Sequence, residues 1–451
     1  MSKDSNKISM LEKIIYGSGD VGLNAMYTLF SSYVLFFYTD VILMNAALIG
    51  TVIMISKLFD GVSDLIAGQL IDTHKSKGGH CIPVLLKWTL PMIASVVLVF
   101  TVPDSTVAVR VAYIFVTYNL FNTVLYTYVT MAHGTLASYV TNNSEDRSQM
   151  LIFKMLFAAL TQTIMASVML PMVNFFGGQQ SQGAWIKSIL VFGIIGLIPL
   201  ALNILIVKER VDNEAPPENI IQGVKRAVVN KYWWMAFVVN LCANFILTFN
   251  LSVSVYYLNS VMGNMGLMGT FVACSNMPGV VLCVVCPFLL KKFTKRQMVL
   301  FGTVLMVIAQ IVFIVAPNTV PILFATALVR GIGMGFAMGM AGALIGDCID
   351  YGEWKTGTRV QSVLFSASSV GAKVGQGALT AVFGFILTAI GYDGAAATQA
   401  ASTVSGINGF FKFGPLVVAL VLLVDIWFLD VETKNPQYVK ELEERKAKAR
   451  A

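Results

Sequence analysis

The chain has 451 residues, of which 56% are hydrophobic and 12% are charged, and its formal net charge is +7. Soluble domains carry about 25% charged residues, so this composition excludes an ordinary soluble fold. No nucleic-acid-binding motif accompanies the positive charge, and the 3 histidines form no cluster of metal ligands. The composition therefore predicts a polytopic helical protein of the lipid bilayer, and we expect neither an enzyme, a bound cofactor nor a nucleic-acid partner.

Apolar runs long enough for a helix to cross the bilayer recur along the chain. They predict twelve spans, near residues 21–43, 46–70, 82–102, 107–135, 150–175, 186–207, 233–260, 267–290, 298–316, 320–346, 361–390 and 410–430. The longest polar stretch, which contains Pro216 and Pro217, separates the sixth span from the seventh. We therefore expect an N-terminal six-helix bundle (1–207), a cytoplasmic linker (208–232), a C-terminal six-helix bundle (233–430) and a polar cytoplasmic tail (431–451). The tail is expected to form a short helix or to stay solvated.

Lysine and arginine alternate between the predicted loops. They are frequent before the first span, in the central linker and between the eighth and ninth spans, and rare in the loops on the other side. The positive-inside rule then places both termini in the cytoplasm. Six plus six spans around a basic central loop is typical of secondary transporters, whose binding site lies near mid-membrane between the two halves.

The second span carries charged residues that a membrane helix normally lacks. Asp60 and Asp64 are four residues apart, and Lys57 lies three residues before Asp60, so all three share one helix face. A centred charge costs about 2.5–3.5 kcal/mol on insertion scales, which favours a wet or paired environment. Two interpretations stay open: an internal ion pair with Lys57, or a site for Na⁺ or for a transferable proton.

Other spans also contain polar residues. They are Asp20 and Asn24 in the first span, Thr127, Thr130 and His133 in the fourth, Lys154 in the fifth, and Lys373 in the eleventh. Each one alone is weak evidence, because polar side chains often join neighbouring helices. Together they are better suited to lining an internal polar path than to sealing a bundle.

Five stretches are similar to a known family: "YGSGDVGLNAMYTLFSSYVLFFYTDV", "SKLFDGVSDLIAGQLID", "EDRSQMLIFKMLFAA", "VYYLNSVMG" and, most specifically, "GDCIDYGEWKTGTR". They resemble the glycoside–pentoside–hexuronide:cation symporters, the melibiose-permease-like branch of the major facilitator superfamily. The resemblance extends over essentially the whole chain. It implies twelve helices in two bundles and the entry of a sugar or glycoside coupled to Na⁺, Li⁺ or H⁺.

The resemblance also implies which residues hold the cation. The paired aspartates of the family's second helix match Asp60 and Asp64, and a threonine that joins that site matches Thr127. Where the family often has an asparagine before the second aspartate, this chain has Ser63. Without that amide oxygen, the choice between Na⁺ and H⁺ stays open.

The sugar-binding positions of the family match Asn24, Thr130, Lys154 and Lys373, and Asp20 is a further candidate. The first two positions are acidic in melibiose permease and neutral here, whereas both cationic positions are kept. Carboxylates are stronger acceptors for neutral sugar hydroxyls than amides or hydroxyls are. A surplus of positive charge therefore suggests an acidic sugar, such as a hexuronide.

Two other functions are weighed against sugar symport. A carrier of lysolipids or other amphiphiles with the same fold would need an apolar lateral groove, and polar groups on five spans argue against one. A sensor that binds sugar without moving it is the other alternative, and the sequence alone does not separate it from a carrier.

Overall fold

The computed structural model describes residues 8–73, 78–141, 143–211, 229–290, 292–356, 361–396 and 398–450. The first half of the chain forms six helices, which are numbered here in chain order. They are α1 (Met10–Val41), α2 (Ala46–Thr73), α3 (Ile82–Val99), α4 (Val107–Val140), α5 (Ser144–Phe175) and α6 (Gln182–Ile206).

The second half of the chain contributes seven more helices among the described residues. They are α7 (Lys231–Ser260), α8 (Met268–Leu289), α9 (Lys295–Val315), α10 (Val320–Thr356), α11 (Gln361–Ala389), α12 (Ala401–Phe428) and α13 (Val431–Arg450). By length and composition, eleven helices among the described residues of both halves could cross a membrane, and α2 is not among them. With α2, whose 28 residues include the charged face, the predicted set of twelve spans is present.

Several helices are longer than their apolar runs. The helix α1 begins at Met10, eleven residues before the predicted span, because Ser9 accepts a hydrogen bond from the amide of Glu12 and caps it. The helix α10 continues to Thr356, and α12 begins at Ala401. Hydropathy detects only the part of a helix that lies in hydrocarbon, so such polar extensions fall outside it.

The chain folds into two compact units. The first unit holds residues 1–217, 251–272 and 380–408, and the second holds 218–250, 273–379 and 409–451. The first unit thus contains α1 to α6 with segments of the later helices. The division into bundles at a linker of 208–232 stays a prediction, because residues 212–228 lie outside the described part of the chain.

Within the first unit, α1 packs along α5 and α6. The approach to α5 is close at Gly17, where an added Cβ would come within 2.6 Å of the Phe153 Cβ. Only glycine permits this separation without a shift of the neighbouring helix. The close packing brings the polar residues of α1 beside those of α5.

In each unit, a glutamate after one helix caps the start of another. The carboxylate of Glu209 accepts hydrogen bonds of 2.7–2.8 Å from the backbone amides of His80, Cys81 and Ile82, at the start of α3. The carboxylate of Glu432 does the same for the first two amides of α9, at 2.9 Å each. Both carboxylates lie at the positive end of a helix dipole, where negative charge is stabilising.

The polar tail is helical and, within the second unit, packs against α10. Its Tyr438 ring contacts the rings of Tyr351 and Trp354, with centroids 5.2 and 4.7 Å away. Both rings belong to the stretch "GDCIDYGEWKTGTR", whose Asp347 also pairs with Lys295 at 2.7 Å. The described part of this stretch therefore anchors the last helix, and its residues 357–359 lie outside the described part of the chain.

Candidate functional site

The carboxylate of Asp60 lies at the centre of the candidate cation site. Asp60 is 0% exposed, and two side chains of α4 donate hydrogen bonds to its carboxylate. The hydroxyl of Thr127 reaches Oδ1 at 3.1 Å, and the amide nitrogen of Asn122 reaches Oδ2 at 2.9 Å. Hydrogen bonds to both oxygens compensate part of the cost of burying this group.

Lys57 pairs with Asp60. Its ammonium nitrogen lies 3.5 Å from Asp60 Oδ2 and 3.4 Å from the amide oxygen of Asn122. It also lies over the ring of Tyr27 of α1, 5.8 Å from the ring centroid. The pairing foreseen in the ion-pair interpretation is present, but both distances exceed those of a normal hydrogen bond.

Asp64 and Ser63 lie about one turn further along α2, and both are half-buried. The hydroxyl of Ser63 donates a hydrogen bond to the backbone carbonyl of Thr123. The part of α4 that follows Tyr118 therefore contacts α2 at Ser63 as well as at Asp60. This arrangement places Asp60, Ser63 and Thr127 in one region of the first unit, with Asp64 on the same stretch of α2.

A π-helical segment of α4, Asn119–Tyr126, explains how Asn122 and Thr127 reach the same carboxylate. Residues five apart lie about 140° apart around an α-helix of 3.6 residues per turn. A π-turn closes i to i+5 instead, and the Thr127 hydroxyl oxygen also lies 3.0 Å from the Asn122 carbonyl oxygen. Spacing rules for regular helices miss Asn122, and its only sequence signal is an amide within an apolar run.

The candidate sugar residues of α1 and α5 lie together. The amide of Asn24 donates to Asp20 Oδ2 at 2.7 Å and accepts a hydrogen bond from Gln162 at 3.2 Å. The Lys154 ammonium is 3.8 Å from Asp20 Oδ1. Gln162 is absent from the sequence prediction, although a glutamine in an apolar span is a signal of the same kind as Asn24.

Thr130 and His133 follow on α4. Thr130 comes one turn after Tyr126, whose ring stacks on that of Tyr27 with centroids 4.9 Å apart. His133 is fully buried, stacks on Tyr16 and has its Nε2 3.1 Å from the Tyr16 backbone carbonyl. These contacts hold α1 against α4, and the other ring nitrogen, Nδ1, lies 3.6 Å from Asp20 Oδ1, beside the candidate sugar residues.

Lys373 belongs to the second unit. It is half-buried on α11, three residues before Gln376, whose amide donates to the Asn244 side chain of α7 at 3.3 Å. The structure therefore groups Asp20, Asn24 and Lys154 within the first unit and leaves the role of Lys373 a prediction.

The helices, their charged interior and the two acid-containing clusters define a membrane transporter, and comparison with known proteins agrees. The chain belongs to the family of MFS/sugar transport proteins, which it matches over residues 15–433. The expected fold class and the resemblance to sugar:cation symporters are thereby confirmed. The chain is a multi-pass membrane protein of this family.

Several curated relatives match along nearly their full length. The isoprimeverose transporter of Lactiplantibacillus pentosus is 28% identical over 99% of this chain and 94% of its own. The glucuronide carrier protein homolog of Escherichia coli is also 28% identical, over 96% and 95%. A putative sulfoquinovose importer of Salmonella typhimurium is 26% identical, over 94% and 90%.

Solved structures share the fold at low sequence identity. A bacterial homologue of the human lysosomal transporter Spinster superposes with a TM-score of 0.68 at 10% identity, covering 98% of this chain and 99% of its own. The nucleoside transporter NupG has a TM-score of 0.63 at 11% identity, covering 93% and 100%. At such identities the likeness extends to the fold alone.

Proposed function

We propose that the protein is a secondary symporter that couples the uptake of a sugar or glycoside to a monovalent cation, Na⁺ or H⁺, by alternating access. The observation that carries this proposal is the fully buried Asp60 carboxylate within a helix of a membrane protein. Ionisable residues in such positions are costly and typically mark an ion pathway. Several relatives are named as symporters or as carriers of sugars or glycosides, which supports the same function.

In this proposal Asp60 and Asp64 bind the cation, with Thr127 and Ser63 as neutral oxygen ligands. The 3.1 Å contact between Thr127 and Asp60 supports this set. A hydroxyl that donates one hydrogen bond still has lone pairs to offer a cation, and hard cations prefer such oxygens. A cation that moves inward gains about 2.3 kcal/mol per 100 mV of membrane potential, which supplies the energy for accumulation.

The sugar would bind to Asp20, Asn24, Thr130 and Lys154, together with Lys373 as the family resemblance implies. The contacts among Asp20, Asn24 and Lys154 support a site that offers donors and acceptors together. Sugar hydroxyls both donate and accept, so they can replace these contacts one for one. In this proposal the bound cation raises the affinity for the sugar, and linkage then requires the sugar to raise the affinity for the cation by the same factor.

The charge at the sugar site bears on the class of sugar. The surplus of positive charge expected at this site is offset where Asp20 lies 3.8 Å from Lys154, which favours a neutral glycoside. An acidic sugar such as a hexuronide is the second candidate, supported by the relative named as a glucuronide carrier homolog. A carboxylate substrate would compete with Asp20 for Lys154.

We place the protein in the plasma (bacterial inner) membrane with both termini in the cytoplasm. The alternation of lysine and arginine between the loops supports this orientation. Glu12, at the start of α1, pairs with Arg210 just after α6 at 2.8 Å, so basic residues of the central linker lie at the same end as the N-terminus.

Counterflow in proteoliposomes tests the function. Vesicles loaded with a non-radioactive sugar take up the labelled sugar against its gradient only if the protein carries it. A panel of neutral glycosides and hexuronides, with and without Na⁺ and at two pH values, identifies both ligands. Saturable binding without counterflow would indicate a sensor, and movement of lysolipid instead of any glycoside would indicate an amphiphile carrier.

A further inference from the structure

The ammonium group of Lys57 lies between two oxygens of different origin. One is Oδ2 of Asp60, three residues along the same helix, and the other is the amide oxygen of Asn122 on α4. Lys57, Asp60 and Asn122 are 5%, 0% and 1% exposed, so water has little access to any of them. The Lys57 ammonium is itself a monovalent cation, bound at this point and covalently attached to the protein.

The contacts that bind the Lys57 ammonium are long. Distances of 3.4 and 3.5 Å are longer than the 2.7–3.2 Å of a good N–H···O hydrogen bond. The third contact is with the Tyr27 ring, whose centroid lies 5.8 Å from the ammonium, close to the outer limit of a cation–π interaction. A smaller free cation could approach both oxygens more closely than the ammonium does, which gives it the means to displace Lys57.

We propose that the Asn122 amide oxygen is a ligand for a coupling Na⁺ together with Asp60, and that Lys57 occupies this position when Na⁺ is absent. This inference rests on the proposed symport function and extends it to the identity of the cation. It adds two residues, Asn122 and Lys57, that the family resemblance does not assign to the site.

The chemistry of the donors favours Na⁺ over a proton. An amide oxygen is a good ligand for a hard cation, but it is not a proton carrier near neutral pH. Asp60 receives hydrogen bonds from Thr127 and Asn122 and faces the ammonium as well. The Thr127 hydroxyl, the Asn122 amide and the Lys57 ammonium all direct hydrogens at lone pairs of Asp60. An ionised carboxylate has more such lone pairs than a protonated one.

Asn122 also compensates for a residue that the chain lacks. Ser63 stands where the family often has an asparagine, and its hydroxyl is hydrogen-bonded to the Thr123 carbonyl. The π-helical segment of α4 turns the Asn122 amide towards Asp60 from the opposite helix. An amide group of α4 therefore lies beside Asp60, with its oxygen towards Lys57, where α2 itself has a serine.

Binding of Na⁺ to purified full-length protein tests the proposal without any sugar. The midpoint of thermal unfolding is measured against NaCl concentration, with choline chloride keeping the ionic strength constant. We expect Na⁺ to raise the midpoint of the unaltered protein. Asn122→Leu should raise the half-saturating Na⁺ concentration on the order of tenfold or more, the cost typical of losing a partner in a metal site.

The variant Lys57→Met should move the half-saturating concentration in the opposite direction, because it removes the tethered competitor. The matched control is Asn119→Leu, in the same π-helical segment. The amide of Asn119 donates to Ser56 at 2.8 Å instead of to Asp60. This control should bind Na⁺ like the unaltered protein, which separates loss of a ligand from disturbance of the segment.

Unchanged Na⁺ titrations in both Asn122→Leu and Lys57→Met would overturn the inference. It would also be overturned if Na⁺ stabilised the protein no more than choline, while glycoside counterflow responded to pH alone. In that second case the proposed symport function would stand, with H⁺ as the cation. If no glycoside gave counterflow while both variants altered Na⁺ binding as expected, the proposed function would be refuted. The cation site would then stand.

Discussion

Tyr392 donates a hydrogen bond of 2.5 Å to the carboxylate of Asp40, and this bond joins two parts of the first unit that are 352 residues apart in the chain. Asp40 lies at the end of α1 opposite the N-terminus and is 5% exposed. Its neighbour Thr39 is hydrogen-bonded to Tyr256 of α7 at 2.9 Å. Burial and the nearby Asp40 raise the pKa of Tyr392, so it stays a protonated donor at physiological pH.

Under the alternating-access mechanism proposed above, we expect the contact between Asp40 and Tyr392 to break when the carrier opens at this end. We expect Tyr392→Phe to favour the open form, because the bond to a charged acceptor is worth about 1.5–3 kcal/mol. The measurement is maleimide labelling of Ser32→Cys, which replaces a side chain of α1 that is 1% exposed. Labelling should become several times faster when Tyr392→Phe is added.

The control for this experiment is Tyr38→Phe. It removes the hydrogen bond of 3.1 Å from Tyr38 to the Val99 carbonyl, which lies wholly within the first six helices. This variant should be less stable without faster labelling at Ser32→Cys. Equal labelling rates with and without Tyr392→Phe would show that the contact does not hold this end closed.

Replacement of either acid of α2 should abolish accumulation. We expect Asp60→Asn and Asp64→Asn to insert normally but to lose uptake driven by a cation gradient, because each removes a negative ligand of the proposed cation site. Concentrative uptake of the glycoside found by counterflow is the measurement. Asp104→Asn, at an acid whose side chain is 99% exposed in a loop, serves as the control. Full accumulation by both α2 variants would contradict the cation role.

The substitution Asn24→Asp tests how charge at the sugar site selects the substrate. The new carboxylate would lie beside Asp20, since the Asn24 amide is 2.7 Å from Asp20 Oδ2. Repulsion should lower uptake of a hexuronide relative to a neutral glycoside severalfold. Competition of both sugars with one labelled substrate measures the ratio. A relative gain for the hexuronide would exclude direct contact between its acid group and this position.

The cap on α9 should contribute measurably to stability. Glu432→Ala removes the acceptor of two backbone hydrogen bonds, and we expect a loss of roughly 1–2 kcal/mol, typical of a helix cap. Thermal unfolding of the purified protein measures this loss. Glu444→Ala, at an exposed position of α13, should change stability little. Equal effects of the two variants would argue against the capping role.

Helix positions were predicted from the sequence better than helix ends. Each of the twelve apolar runs coincides with a helix, because hydrocarbon admits only a backbone structure that satisfies its own hydrogen bonds. The sequence does not predict the extension of α1 back to Met10, and it leaves the polar tail either a short helix or solvated, where the structure has the helix Val431–Arg450. Caps and side-chain packing decide these segments, and hydropathy does not register them.

The charged face of α2 and the polar residues of α1 and α5 follow from the sequence itself, since helical spacing fixes which side chains share a face. Only the folded chain could bring in Asn122, Gln162 and the bond between Asp40 and Tyr392. Asn122 faces Asp60 because of a π-turn, which changes the side of α4 on which this residue lies. Gln162 reaches Asn24 because α1 packs closely against α5. The bond between Asp40 and Tyr392 joins distant segments, and local periodicity contains no information about which helices become neighbours.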